Sequence, residues 1–187
     1  MRPRLSPAAT RRGFTLVELM VVVTIVAILA TIGSYGVSKY IASSKTGEAV
    51  QMIGAIKAAQ ESFKDETFRY LDVSGNHTLG NYYPVNDKPG QQKVQWGAGT
   101  GVPSDNWRML GVSPTGPVLF VYACAAGTVG DAFPGPGAGI TIGNWPGSQT
   151  APWYVIRAHA DLDAGGEQSV FIGTSFTTQL FSANEGQ

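Results

Sequence analysis

The sequence predicts an α+β chain: one long N-terminal helix, about residues 14–68, packed through its C-terminal half on a small antiparallel β-sheet head. Three observations predict it. No proline occurs between Pro7 and Pro84. Apolar side chains recur at spacings of three and four as far as Phe63. The β-branched and aromatic runs lie beyond Pro117, separated by turn formers. A length of 187 residues fits one ordinary domain, and an apolar fraction of 43% supports a core and argues against wholesale disorder.

The first element is a targeting feature. Residues 1–13 carry Arg2, Arg4, Arg11 and Arg12 and no acid. Without those four, nine basic side chains face 13 acidic ones, a formal balance of −4. A basic head before an apolar run is kept apart from fold reasoning. From Phe14 to Val37 the 24 residues hold a single charge, Glu18. As a helix this run spans roughly 36 Å, enough for a hydrocarbon core of about 30 Å. Arg11 and Arg12 place the leader in the cytoplasm and the rest of the chain outside. A secretory signal has an apolar region of roughly 7–15 residues and a small-residue cleavage site. Here the run is longer, and Gly33, Ser34 and Gly36 are not followed by an A-x-A pattern. A plain membrane anchor is the other reading, but it leaves Glu18 unexplained. A carboxylate at bilayer depth costs on the order of 2.5–3.5 kcal/mol, and such groups pair with cations and mark function.

Arg11-Arg12-Gly13-Phe14-Thr15-Leu16-Val17-Glu18-Leu19-Met20-Val21-Val22 closely resembles the prepilin processing motif. That motif is shared by type IV pilins, minor pilins and type II secretion pseudopilins. The resemblance implies cleavage between Gly13 and Phe14 by a membrane aspartyl peptidase. It implies N-methylation of Phe14, and a role for Glu18 as the assembly acid that neutralises a neighbour's N-terminal amine. It further implies a pilin-like fold, no cofactor and no enzymatic activity. The implied partners are other pilin or pseudopilin subunits, the prepilin peptidase/methyltransferase, an inner-membrane assembly platform, and the lipid bilayer before assembly. The chain then divides into a cleaved leader, 1–13, a membrane and assembly segment, 14–37, and a globular head, 38–187, that includes the second half of the helix. The head would lie in the periplasm, and later on a pilus at the cell surface or in a periplasmic pseudopilus. Two departures lean towards a minor or non-standard subunit rather than a conventional major pilin. The apolar run has Tyr35 where many major pilins carry a proline, and Cys124, the lone cysteine, cannot close a C-terminal disulfide loop.

Beyond the apolar run, Ala49, Met52, Ile53, Ile56, Ala59 and Phe63 form one apolar stripe. Lys45, Glu48, Gln51, Lys57, Glu61 and Lys64 lie mostly off it, facing water or a partner, with Lys57 and Glu61 spaced as an i,i+4 pair. The helix ends near Phe68, before the Asp72–Asn76 turn cluster. Its length, roughly 80 Å, cannot be buried in one small domain. Thr31–Gly36, with two glycines, is the weakest helical stretch before the head. Gly47 and Gly54 read as points of close helix–sheet packing.

Residues 71–118 read as a long connection with a short helix near Asn106–Leu110, and Trp96 and Trp107 as caps on the head's apolar face. Strands follow over Val118–Ala125, Trp153–Ala160, Ser169–Thr174 and Thr178–Ser182. Short linkers between the later ones require antiparallel pairing. The Gly- and Pro-rich segment 126–152 reads as an exposed loop. Cys124 reads as buried, His159 as facing solvent, and His77 as lying in a turn.

The function classes narrow accordingly. No G-x-S-x-G, H-E-x-x-H or P-loop pattern is present, which argues against a membrane-anchored periplasmic enzyme. The acidic balance of the processed chain argues against general nucleic-acid binding, leaving only a local patch of Lys88, Lys93 and Arg108. Asp161, Asp163 and Glu167 have a spacing that calcium uses in flexible loops, against a plain polar hairpin as the alternative. The reading is a structural filament subunit, with a type II secretion pseudopilin as the alternative.

Overall fold

The computed structural model describes residues 13–97 and 102–185; the leader arginines Arg2, Arg4, Arg11 and Arg12 lie outside them. One helix, α1, runs unbroken from Leu16 to Thr67, including the glycine-bearing stretch Thr31–Gly36. It ends at Phe68, whose φ of 62° takes the left-handed capping conformation more often given to glycine. The Phe68 amide still donates to the Lys64 carbonyl at 2.7 Å.

The chain divides into two units, Met1–Lys39 and Tyr40–Gln187. In the first, Leu16–Ser34 has a mean hydropathy of 2.6 and none of it is buried, so it is long and apolar enough to cross a membrane. Its hydroxyls are returned to the helix backbone. Thr24 Oγ1 donates to the Met20 carbonyl and Thr31 Oγ1 to that of Ala27, each at 2.8 Å. Such back-bonding lets threonine sit in an apolar segment.

The second unit holds a four-stranded sheet in the order β1-β2-β3-β4. Its strands are β1 (Val121–Gly127), β2 (Trp153–Ala160), β3 (Ser169–Thr174) and β4 (Phe181–Ala183). All neighbours are antiparallel, with Cys124 opposite Ile156, Ile156 opposite Gly173 and Phe171 opposite Ser182. A short helix, α2, covers Val102–Leu110 and starts earlier than the expected Asn106. One face of the sheet packs on the C-terminal part of α1, where Met52, Ile53 and Ile56 join Tyr122, Cys124, Ile156 and Phe171 in one core. Trp107 is buried in the same core, with Trp96 half-buried against it; their rings meet edge to face at 5.3 Å.

Several expectations are corrected. The close approach of helix and sheet is made by Gly173, not by Gly47 or Gly54. A Cβ on Gly173 would lie 2.6 Å from Ile53 Cγ2, whereas one on either helical glycine would meet nothing within 4 Å. Segment 126–152 is not merely an exposed loop. It lays Phe133, Ile140, Ile142 and Trp145 over the other face of the sheet, against Ala123, Ala125, Val155, Val170 and Ile172. Strands β1, β2 and β3 are therefore buried on both faces. His159 is part of that covered face and only 8% exposed, not solvent-facing.

Strand β1 begins at Val121 rather than Val118 for a visible reason. Glu48 of α1 takes the Leu119 amide at 2.7 Å and the Phe120 amide at 3.2 Å, so those residues cannot ladder. Glu48 thus faces the head, not water. Lys57 likewise donates to the Thr177 carbonyl at 3.2 Å rather than to Glu61, whose carboxylate accepts from Tyr70 Oη at 3.0 Å. The outer edge of β1 is closed throughout. Tyr83 and Tyr122 exchange backbone bonds at 2.8 Å, Ser74 Oγ accepts from the Cys124 amide at 2.8 Å, and Asp72 Oδ1 accepts from that of Ala126 at 3.3 Å. A blocked edge protects the sheet from unplanned strand pairing.

Candidate processing and assembly site

The sequence points first to Gly13, Phe14 and Glu18, and the structure shows how the helix start arranges them. Thr15 is the N-cap and Glu18 the third helical residue. The Glu18 amide donates to Thr15 Oγ1 at 3.2 Å, while Glu18 Oε2 accepts from the Thr15 amide at 2.9 Å and from its hydroxyl at 2.7 Å. This is a reciprocal capping box, which satisfies backbone donors that a helix start leaves orphaned. Gly13 and Phe14 precede it, fully exposed, with Phe14 at 89%. The arrangement presents an exposed Gly-Phe bond just ahead of the helix, with a carboxylate one turn inside. Thr15 and Glu18 have the Thr-x-x-Glu spacing that such a cap takes, a pattern the reading of the sequence did not use.

The remaining candidates resolve differently. Asp161 Oδ2 accepts from the Gly166 amide at 3.2 Å, and Asp163 Oδ1 from the Gly165 amide at 2.8 Å. Glu167 is exposed. Among the described residues no three His, Cys, Asp or Glu side chains are placed to hold a metal. His77 sits in a turn with Nδ1 2.6 Å from the Ala126 carbonyl. Arg108 pairs with Asp105 at 3.4 Å on α2, while Lys88 and Lys93 are exposed. Cys124 is buried, and burial pushes its thiol up to about 12, so it is inert as a nucleophile.

Two interior polar residues had no chemical motif to announce them. Gln60 is wholly buried; its Nε2 donates to the Leu71 carbonyl at 2.8 Å and to Cys124 Sγ at 3.1 Å, and its Oε1 accepts from the Leu71 amide at 2.9 Å. It fixes the turn after α1 against the sheet. The other is Arg157, 5% exposed on the covered face of β2, donating from Nη1 to the Pro136 carbonyl at 3.1 Å.

Comparison with known proteins adds to this geometry. Residues 9–34 match the prokaryotic N-terminal methylation motif. A fimbrial protein of Eikenella corrodens is 35% identical over 105 residues, covering 55% of this chain and 67% of that protein. The chain belongs to the type IV pilin family. This pilin is also 49% identical over 63 residues to the type IV major pilin protein PilA of Myxococcus xanthus, a match covering 34% of the chain and 29% of that relative. With the type IV major fimbrial protein FimA of Dichelobacter nodosus it shares 35% identity over 79 residues, 38% of the chain and 49% of the relative. The chain thus spans less than half the length of these last two relatives. No solved structure matches this pilin.

Proposed function

We propose that this pilin is a structural subunit of a type IV pilus-like filament. It is inserted in the inner membrane with its leader, 1–13, in the cytoplasm. It is cut between Gly13 and Phe14, methylated on Phe14, and assembled through residues 14–37, with residues 38–187 outside the membrane. The observation that carries the reading is the exposed Gly13–Phe14 bond directly before a capped, apolar helix of membrane-spanning length. The pilin and fimbrial relatives support a pilus over a secretion pseudopilus. The matching partners are further copies of such subunits, a prepilin peptidase/methyltransferase and a membrane assembly platform. Glu18 would meet a neighbour's N-terminal amine, exchanging its bonds to Thr15 for a stronger charge-assisted one.

The test is chemical. Mass spectrometry of the chain extracted from membranes of a peptidase-competent host is expected to show loss of residues 1–13 and an N-methylated Phe14. Gly13→Arg is expected to leave the chain uncut. Recovery of the native chain at full length would overturn the processing scheme.

A further inference from the structure

We propose that Pro134-Gly135-Pro136-Gly137-Ala138-Gly139 is a separately opening strap over the outer face of the sheet, and that Arg157 is its latch. The geometry around Arg157 carries the proposal. Its guanidinium donates to the carbonyls of both Pro136 and Ala138, wrapping the strap around a single side chain. Gly137 and Gly139 both have a φ of 84°, a conformation that a side chain would strain. A Cβ at Gly137 would collide with Arg157 Nη1, so any side chain there must displace either the guanidinium or the strap. The latch is charged but has no acid beside it: among the described residues no carboxylate forms an ion pair with Arg157, and its Nε is buried without a partner.

The strap is tied to the sheet only through side chains. Among the described residues no backbone hydrogen bond joins 129–151 to a strand. The bonds present close within the segment or its start, from the Asp131 amide to the Thr128 carbonyl and from the Trp145 amide to that of Ile142, each at 3.2 Å. Phe133, Ile140, Ile142 and Trp145, which cover the face, are only half-buried themselves. By contrast, β2 pairs with β1 over Trp153–His159 and with β3 over Val155–Ala160. Segments held by few buried contacts and no ladder open well below the global unfolding free energy. Opening the strap would bare Ala123, Ala125, Val155, Val170 and Ile172 while leaving the sheet and its helix-side core intact.

The two faces can be probed separately in the full chain. Cys124 is fully buried on the helix side and reports opening of the sheet. Val155→Cys, fully buried on the strap side, reports opening of the strap. In detergent-solubilised protein, an alkylating reagent with peptide mass readout is expected to label Val155→Cys while Cys124 stays unlabelled. Arg157→Met is expected to raise labelling at position 155 at least about tenfold without moving Cys124, since hydrogen bonds from a charged group are among the stronger ones lost. Gly137→Ala, whose methyl would push the strap off the Arg157 guanidinium while leaving the strand's own sequence unchanged, is expected to do the same and stands in if Arg157→Met does not fold. Labelling of both thiols in step, or a rate at position 155 unchanged by either substitution, would overturn the proposal.

Discussion

His159 shows how far a residue's sequence context can mislead. Alternation beside Arg157 suggested an outward face, and β2 does alternate, but the outward face is itself covered. Tyr82 packs edge-on at 4.3 Å from the imidazole, and Arg157 is the neighbouring cation. Val121 and Val170 flank it across the sheet, and Asp161, two residues on, is turned to the Gly166 amide. Burial, and secondly the Arg157 charge, lower its pKa from 6.5 to about 4. A folded pKa below the unfolded value means the neutral form is preferred in the fold. The stability it protects is complete at pH 7 and above, and is lost as pH falls from about 6.5 through about 4. By pH 4.5 the loss is expected to be about 2–3 kcal/mol. His159→Phe should remove that part of the acid sensitivity, read as the difference between urea unfolding curves at pH 7 and 4.5. An equal pH dependence in native and variant protein would refute it. Gln60 is the converse case: its spacing after Ile56 placed it on the buried stripe, yet its amide group hid the fact. Only a folded partner set, the Leu71 backbone and Cys124, explains it.

Among the elements, those whose pattern comes from local sequence were legible. Strands β2 and β3 begin and end where the β-branched and aromatic runs do. The end of α1 lies one residue from the expected position, because Phe68 turns left-handed. What misled was contact between elements distant in sequence. The late start of β1 depends on Glu48, roughly 70 residues away, reaching two of its amides. The glycines make the same point and yield a prediction. Glycine at 173 is required by α1, since added methyl groups would collide with Ile53 Cγ2 and with Lys57 Cε at 2.8 Å. Gly173→Val is expected to destabilise the head by about 2–3 kcal/mol through overpacking. Gly47→Ala and Gly54→Ala, both in open space on α1, should each stabilise by about 0.5–1 kcal/mol. Thermal unfolding of the three variants decides it, and destabilisation by either helical alanine would restore those glycines to a packing role.

For the whole molecule, the matched methylation motif, residues 9–34, includes the start of α1, and the proposed function places processing and assembly there. Under the proposed function Glu18 is the position where one carboxylate governs assembly, and the capping box offers two distinct accounts of it. In one, the carboxylate's charge pairs with a neighbouring subunit's N-terminal amine, and a subunit docked out of register leaves a charge unpaired at a cost of several kcal/mol. In the other, the residue simply holds the helix start in shape through Thr15. Glutamine serves the cap as well as glutamate does but carries no charge. Glu18→Gln and Glu18→Ala are therefore expected to be inserted, cut after Gly13 and folded. Both should lose about tenfold or more in incorporation when they compete with native subunits. Thr15→Ala, which removes the cap and keeps the charge, should still be incorporated. The measurement is the ratio of variant to native subunit in sheared, purified filaments against the ratio in membranes. If Glu18→Gln enters filaments like the native chain while Thr15→Ala does not, the cap, not the charge, sets the register.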